Sequence, residues 1–192
     1  MHIRPGLVFA IIWIGWIASW IVAAFWSGRT EKRVALSQAW RYGILIFIGA
    51  ILLSHAVPPL MAEPRLWHVG YDGAYGLAAL TLAGILFAWW ARIHLGRLWS
   101  GAITRKEDHR VVDTGPYAWV RHPIYAGVIA SLFATAAAQA TMTAFVGAAL
   151  IAVGFWLKAR MEERFLIAEL GGPYEAYRQR VPMLVPFLRP RR

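Results

Sequence analysis

An all-α, multi-pass integral membrane fold is predicted by three features of this sequence. Of its 192 residues, 59% are hydrophobic and only 16% charged, with a mean hydropathy of +0.49. A soluble domain carries about a quarter charged residues. The apolar residues fall in long runs rather than amphipathic stripes, as bilayer-crossing helices require. Lysine and arginine collect in alternate loops, the pattern of a chain that threads a membrane repeatedly.

The elements follow in order. Residues 7–26, 42–61 and 73–91 are apolar runs close to the ~20 residues that a helix needs to cross the hydrocarbon core. A fourth run, 123–157, is too long for one crossing and reads as two helices joined tightly near residues 139–141. The small residues there (ATAAAQATMTA) suit a close helical hairpin, because short side chains let backbones approach. Five transmembrane helices with a C-terminal helical hairpin result. The first run exceeds the roughly 7–15 apolar residues of a signal-peptide core and is followed by basic SGRTEKR, so a retained helix is expected.

Charge orients the chain. The loop after the first helix holds Arg29, Lys32, Arg33 and Arg41, whereas the loop after the second holds Arg65. The third helix is followed by Arg92, Arg97, Arg105, Lys106, Arg110 and Arg121. The hairpin turn has no basic residue, and the tail is rich in arginine. This alternation predicts an outside N-terminus and a cytoplasmic C-terminus, with a bacterial inner membrane as the expected location. Residues 1–192 are expected to form one membrane domain. Three helices lie within 1–91, and 92–192 holds a polar loop, the hairpin and a cytoplasmic tail.

Composition also excludes functions. A net charge of +10 and a pI of 10.7 could suit nucleic acid, but arginine gathered beside anionic lipid explains both, so no nucleic-acid partner is expected. The absence of cysteine rules out disulfides, thiolate metal sites and a cysteine nucleophile. The six histidines show no HxxxH or HExxH spacing, so no metal site is expected.

The stretch GPYAWVRHPIYAG, residues 115–127, is odd for a segment that only crosses a bilayer. Gly115-Pro116 marks a turn, and Pro123 suits the first position of a helix because its missing N–H has no partner there anyway. His122 then caps the fourth helix. The helix's first-turn N–H groups and positive dipole end favour an anion such as a carboxylate. Tyr125, three residues on, lies on about the same side as His122. Arg121 and the aromatic residues could instead be interfacial anchors. A second polar cluster, KARMEERFLIAEL at 158–170, follows the fifth helix. Its Lys158–Glu162 and Arg160–Glu163 spacings allow ordinary helix-surface pairs. In a hairpin, however, the two helix tips are neighbours, so Glu162 and Glu163 would face the His122 mouth across a cytoplasmic pocket suited to a zwitterion.

The order HRVVDTGPYAWVRHPIYAG, a hydrophobic hairpin, RMEERF and GGPYEAYRQRVPMLVPF resembles the isoprenylcysteine carboxyl methyltransferase family. More broadly, it is similar to membrane methyltransferases that include phospholipid N-methylases. The likeness covers roughly residues 96–188. It implies S-adenosylmethionine as cofactor, with S-adenosylhomocysteine as product, and a lipid or lipidated small molecule entering from the bilayer as acceptor. By resemblance, His109, Arg110, Val111 and Val112 hold the cofactor largely through backbone. Tyr117, His122, Pro123, Ile124 and Tyr125 continue its pocket, and Glu163, in preference to Glu162, completes it. Arg160 matches the arginine that faces the substrate and is the expected catalytic residue. No GxGxxG loop occurs, so the soluble methyltransferase cradle is absent.

Three other readings compete: an amine N-methyltransferase, an NADPH-dependent sterol-type membrane reductase, and a small transporter or assembly factor without enzymatic activity. The reductase pattern places an acidic residue after Tyr-x-Gly, where this chain has Val128. A transporter calls for ionisable residues inside a span, and His55, near the outer end of the second run, is the candidate here.

Overall fold

The computed structural model describes residues 3–26, 30–33, 39–54, 63–100, 104–106, 111–186 and 188. His55, His109 and Arg110 lie outside these residues. Five apolar helices form the body: α1 Pro5–Ala24, α2 Trp40–Leu53, α3 Tyr71–Leu95, α4 Pro123–Gln139 and α5 Met142–Leu170. A short α6, Gly172–Arg180, follows, and 3₁₀ turns occupy Gly96–Leu98 and Gly115–Ala118. Helices α1, α3 and α5 are long and apolar enough to cross a membrane, whereas α2 and α4 are apolar but shorter.

One departure from an all-helical chain appears. Strands β1, Thr30–Arg33, and β2, Thr104–Lys106, pair antiparallel, with Lys32 opposite Arg105. They belong to the basic loops after α1 and α3, which therefore lie side by side at one end of the bundle. Backbone groups in such loops need partners, and a two-strand ladder supplies them.

Packing runs through small residues. Helices α3 and α4 cross at Gly84 and Gly127, and a Cβ placed on Gly84 would stand 2.6 Å from the Gly127 carbonyl oxygen. Alanine there would push the helices apart. The close approach lets Ser131 Oγ donate to the Thr81 carbonyl at 2.8 Å, while within α4 Thr135 Oγ1 donates to the Ser131 carbonyl at 2.8 Å. Trp13 Nε1 of α1 donates to Thr135 Oγ1 at 3.1 Å, joining α1 to this seam. Small and hydroxylic residues commonly form such seams between membrane helices.

The α4–α5 turn is as tight as its composition predicts. Ala140 adopts φ 56°, ψ 37°, and Thr141 caps α5 by accepting from Ala144 N. A left-handed alanine costs roughly 1–2 kcal/mol. The Ala140 carbonyl accepts from Leu66 N at 2.7 Å, and Ala136, Ala140, Ala144 and Ala148 are wholly buried around the turn. Helix α5 then continues past the apolar run at residue 157 to Leu170, so RMEERF forms its last turns.

Candidate active site

The polar end of the bundle is organised around Arg121 and His122. Gly115 opens the preceding turn with φ 56°, and the His94 ring packs where its Cβ would stand. Only glycine suits that position. His122 is the N-cap of α4 and Pro123 begins it.

The chain beyond α5 folds back over this motif. Tyr174, Tyr177 and Val181 form a small core with Val111, Leu166, Ile167 and Leu170. The backbone N–H groups of Arg121 and His122 donate to the carbonyls of Pro182 at 2.8 Å and Met183 at 3.1 Å. Tyr177 Oη donates to the Tyr117 carbonyl at 2.7 Å. Burial pushes the phenols of Tyr117, Tyr174 and Tyr177 well above their ordinary pKa, so all three stay neutral.

Side chains complete the join between the two helix tips. Arg121 Nε donates to Glu163 Oε1 at 2.6 Å, and both residues are buried, at 8% and 6% exposure. Arg121 Nη1 also donates to the Arg178 carbonyl at 2.9 Å and to the Val181 carbonyl. His122 Nε2 lies 3.3 Å from the same Glu163 oxygen. Glu162 turns the other way: its Oε2 accepts from Tyr125 Oη at 2.9 Å and stands 3.8 Å from His122 Nδ1. The His122 and Tyr125 rings stack with centroids 5.4 Å apart, and Phe155 of α5 stacks on Tyr125 at 5.0 Å.

A cavity opens between these tips. Val111, Val112, Tyr117, His122, Pro123, Ile124, Tyr125 and Glu162 all line it. Two expected residues stand elsewhere. Glu163 is not in the lining, because its carboxylate is committed to Arg121 and His122 behind the wall. Arg160 is exposed, with its guanidinium 4.9 Å above the Trp156 ring, and is not in the lining either. Three and four residues apart are neighbours on a helix, but two apart are not. Arg160 and Glu162 therefore diverge from α5.

Sequence reasoning assigns no site role to several residues that line the cavity. Leu98 and Trp99 come from the turn after α3, and Tyr174 and Tyr177 from α6. The Tyr174–Tyr177 spacing in GGPYEAY is a usable signal, since it puts both rings on one helix face. By sequence alone, Arg121 is one more polar group at the mouth. An arginine at a bilayer boundary with two glutamates beyond the hairpin nevertheless calls for a charge partner.

Comparison with known proteins shows what this stretch is similar to. The model of the isoprenylcysteine carboxyl methyltransferase (ICMT) family matches residues 77–168, from α3 through the hairpin into the last turn of α5. The matched stretch is similar to the isoprenylcysteine carboxyl methyltransferase family and amounts to just under half of the chain. The matched stretch contains Arg121, His122, Tyr125, Glu162 and Glu163.

Among curated relatives, protein-S-isoprenylcysteine O-methyltransferase of Schizosaccharomyces pombe is 32% identical over 104 residues, covering 51% of this chain and 43% of that protein. Methanethiol S-methyltransferase 2 of Bradyrhizobium diazoefficiens is 47% identical over 77 residues, covering 40% of this chain and 29% of that protein. These matches span less than half the length of either relative. The structure of a eukaryotic intramembrane Ras methyltransferase ICMT superposes with a TM-score of 0.52 at 20% identity, covering 80% of this chain and 54% of that one. That likeness establishes a shared fold.

Proposed function

We propose that this chain is an integral membrane methyltransferase that moves a methyl group from S-adenosylmethionine to a lipid-like acceptor, a carboxylate of the isoprenylcysteine type. One observation carries the reading: the tips of α4 and α5 meet around a cavity walled by His122, Tyr125 and Glu162. The family segment and the S. pombe O-methyltransferase support the chemistry. The alternating basic loops support a cytoplasmic cavity, five crossings and a bacterial inner membrane.

The residues present fit the donor. S-adenosylmethionine carries a carboxylate, an ammonium and ribose hydroxyls, and when bound supplies an electrophilic methyl group on a sulfonium. The first-turn N–H groups of α4 and His122 suit its carboxylate. Glu162 suits the ammonium or the hydroxyls, and Val111 and Val112 offer backbone groups. Glu163 acts from behind: it fixes Arg121 and His122, so the mouth of α4 is preorganised.

A carboxylate acceptor is ionised near neutral pH and needs no base, so the chain contributes alignment and a water-poor site. An apolar acceptor tail would enter sideways from the bilayer.

A second reading is favoured by the 47% identity to a methanethiol S-methyltransferase: a thiol acceptor. A thiol is largely protonated near neutral pH, about 8.5 being the pKa of a cysteine side chain and a simple alkanethiol lying higher, and must shed its proton to attack well. Glu162 and His122 lie at the cavity wall to accept it. Radiolabelled S-adenosylmethionine, supplied to purified protein with farnesylcysteine in one arm and methanethiol in the other, tests both. Methyl ester from the first arm supports the carboxylate reading, and a thioether from the second supports the alternative. Binding of NADPH with no response to S-adenosylmethionine would replace both with a reductase.

A further inference from the structure

The cavity has two chemically different sides. Its polar side is the mouth of α4 with Glu162. The other side comes from the end of α3 and the turn after it, where Leu95, Leu98 and Trp99 line the space. Behind Trp99 stands Arg92, the largest wholly buried side chain among the described residues, at 0% exposure. Its guanidinium lies 4.3 Å from the Trp99 ring centroid. The same group donates to the Gly96 carbonyl at 2.8 Å and the Ala23 carbonyl at 2.8 Å, the C-terminal ends of α3 and α1. Two helix dipoles therefore point their negative ends at one cation. Trp20 of α1 meets Trp99 edge to face at 5.6 Å. The indole is held on one face and at a further contact, and its remaining surface forms cavity wall.

We infer that Trp99 is the platform for the adenine ring of the methyl donor, and that Arg92 is the positioning residue that fixes the indole from behind. The inference rests on the S-adenosylmethionine reading and adds an orientation to it. A cation on one face of an indole draws on the ring's negative potential, the property by which a second cation would be attracted. The opposite surface therefore suits a neutral aromatic ring better than a sulfonium. Adenine is the neutral aromatic part of the donor, and stacking on an aromatic side chain suits any base. The sulfonium and amino-acid end then lie toward Glu162, Tyr125 and the helix terminus, where the available charge complements them.

The two ligand forms separate the possibilities, because S-adenosylmethionine carries the positive sulfur and S-adenosylhomocysteine does not. Isothermal titration of the full-length chain in detergent should show Trp99→Ala weakening both ligands by a similar factor, about tenfold or more. Trp99→Phe, which keeps an aromatic face, should recover most of the loss for both. Should Trp99→Ala fold poorly by circular dichroism, Trp99→Leu replaces it with apolar bulk, and the same equal loss is expected. A loss confined to S-adenosylmethionine would put the sulfonium on Trp99 and overturn the orientation. Normal affinity for both ligands in the alanine or leucine variant would overturn the platform while leaving the methyl-donor site intact. A wild-type chain that binds neither ligand would remove the donor reading itself, and the inference with it. Arg92→Lys, which keeps the charge but not the planar stack, should weaken both ligands alike, and should cost nothing further in a chain that already carries Trp99→Ala; an equal added loss there would make Arg92 merely structural.

Discussion

Helices α1 and α4 are both apolar and play opposite parts. Helix α1 buries one of its 20 residues, Ala23, and presents Leu7, Ile11, Ile14 and Ile21 outward. Helix α4 buries seven of 17: Pro123, Gly127, Val128, Ser131, Leu132, Thr135 and Ala136. The difference lies in residue size and polarity. In a bilayer, lipid is as apolar as leucine, so apolar bulk does not drive helices together. Small and hydroxylic residues do, by letting backbones approach and by bonding across the gap. The helix with those residues also carries the polar mouth of the cavity at its tip. The family segment, which begins at residue 77, contains α4 and leaves α1 outside.

The largest effect should come from the buried ion pair beneath the α4 mouth. Glu163→Ala leaves Arg121 buried without its carboxylate, and breaking one side of such a pair costs about 3–5 kcal/mol. Thermal melts in detergent should show a large drop in Tm, with donor binding lost as a consequence of the loosened mouth. A Tm within error of wild type would mean that α4 and α5 are not joined there.

Next comes the α3–α4 crossing. A Cβ on Gly127 would stand 3.0 Å from Ala88 N and closer still to the Gly84 carbonyl oxygen. Gly127→Val should therefore cost about 1–3 kcal/mol by overpacking, read in the same melts. Equal tolerance at Gly127 and at Gly15 of α1, which has open space around it, would erase the contrast between the helices.

Smaller effects separate binding from folding. Glu162→Gln should weaken S-adenosylmethionine binding by about tenfold, ~1.4 kcal/mol, with little change in Tm. Tyr125→Phe removes the 2.9 Å bond to Glu162 and should cost only about 0.5–1.5 kcal/mol in binding. Titration calorimetry beside the melts checks both. A Glu162→Gln variant that loses stability rather than affinity would make Glu162, not Glu163, the structural member of the pair. The smallest effect belongs to α1: Ile14→Ala, at a residue 67% exposed, should stay within about 0.5 kcal/mol of wild type.

These contrasts also show how much can be read in advance. The apolar runs, the tight turn at residues 139–141, the His122 cap and the Pro123 start are legible because each rests on local chemistry: run length, side-chain size and backbone constraint. The meeting of the α4 tip with the two glutamates is legible once the hairpin is accepted. What each glutamate does is not. Glu162 and Glu163 are adjacent in sequence, but about 100° of helical rotation separates them. Which one faces the cavity depends on the phase of α5, and that is set by packing at Gly147 and Gly154 far down the helix. The cover formed by α6 and residues 181–183 is hidden for a similar reason: its bonds to Arg121 and His122 all end on backbone carbonyls, of residues 178 and 181–183, which leave no trace in residue type. In the sequence, Arg92 is a loop charge and Trp99 a packing aromatic. Their pairing across α1 and α3 is a tertiary fact.

Cross-linking tests the central claim most directly. Ultraviolet irradiation of the purified protein with radiolabelled S-adenosylmethionine, followed by peptide mapping, should place the label on peptides containing residues 111–125 and 162–177. Excess S-adenosylhomocysteine should abolish it. Label confined to peptides from α1 or α2, or label that S-adenosylhomocysteine does not displace, would contradict a methyl-donor site between the tips of α4 and α5.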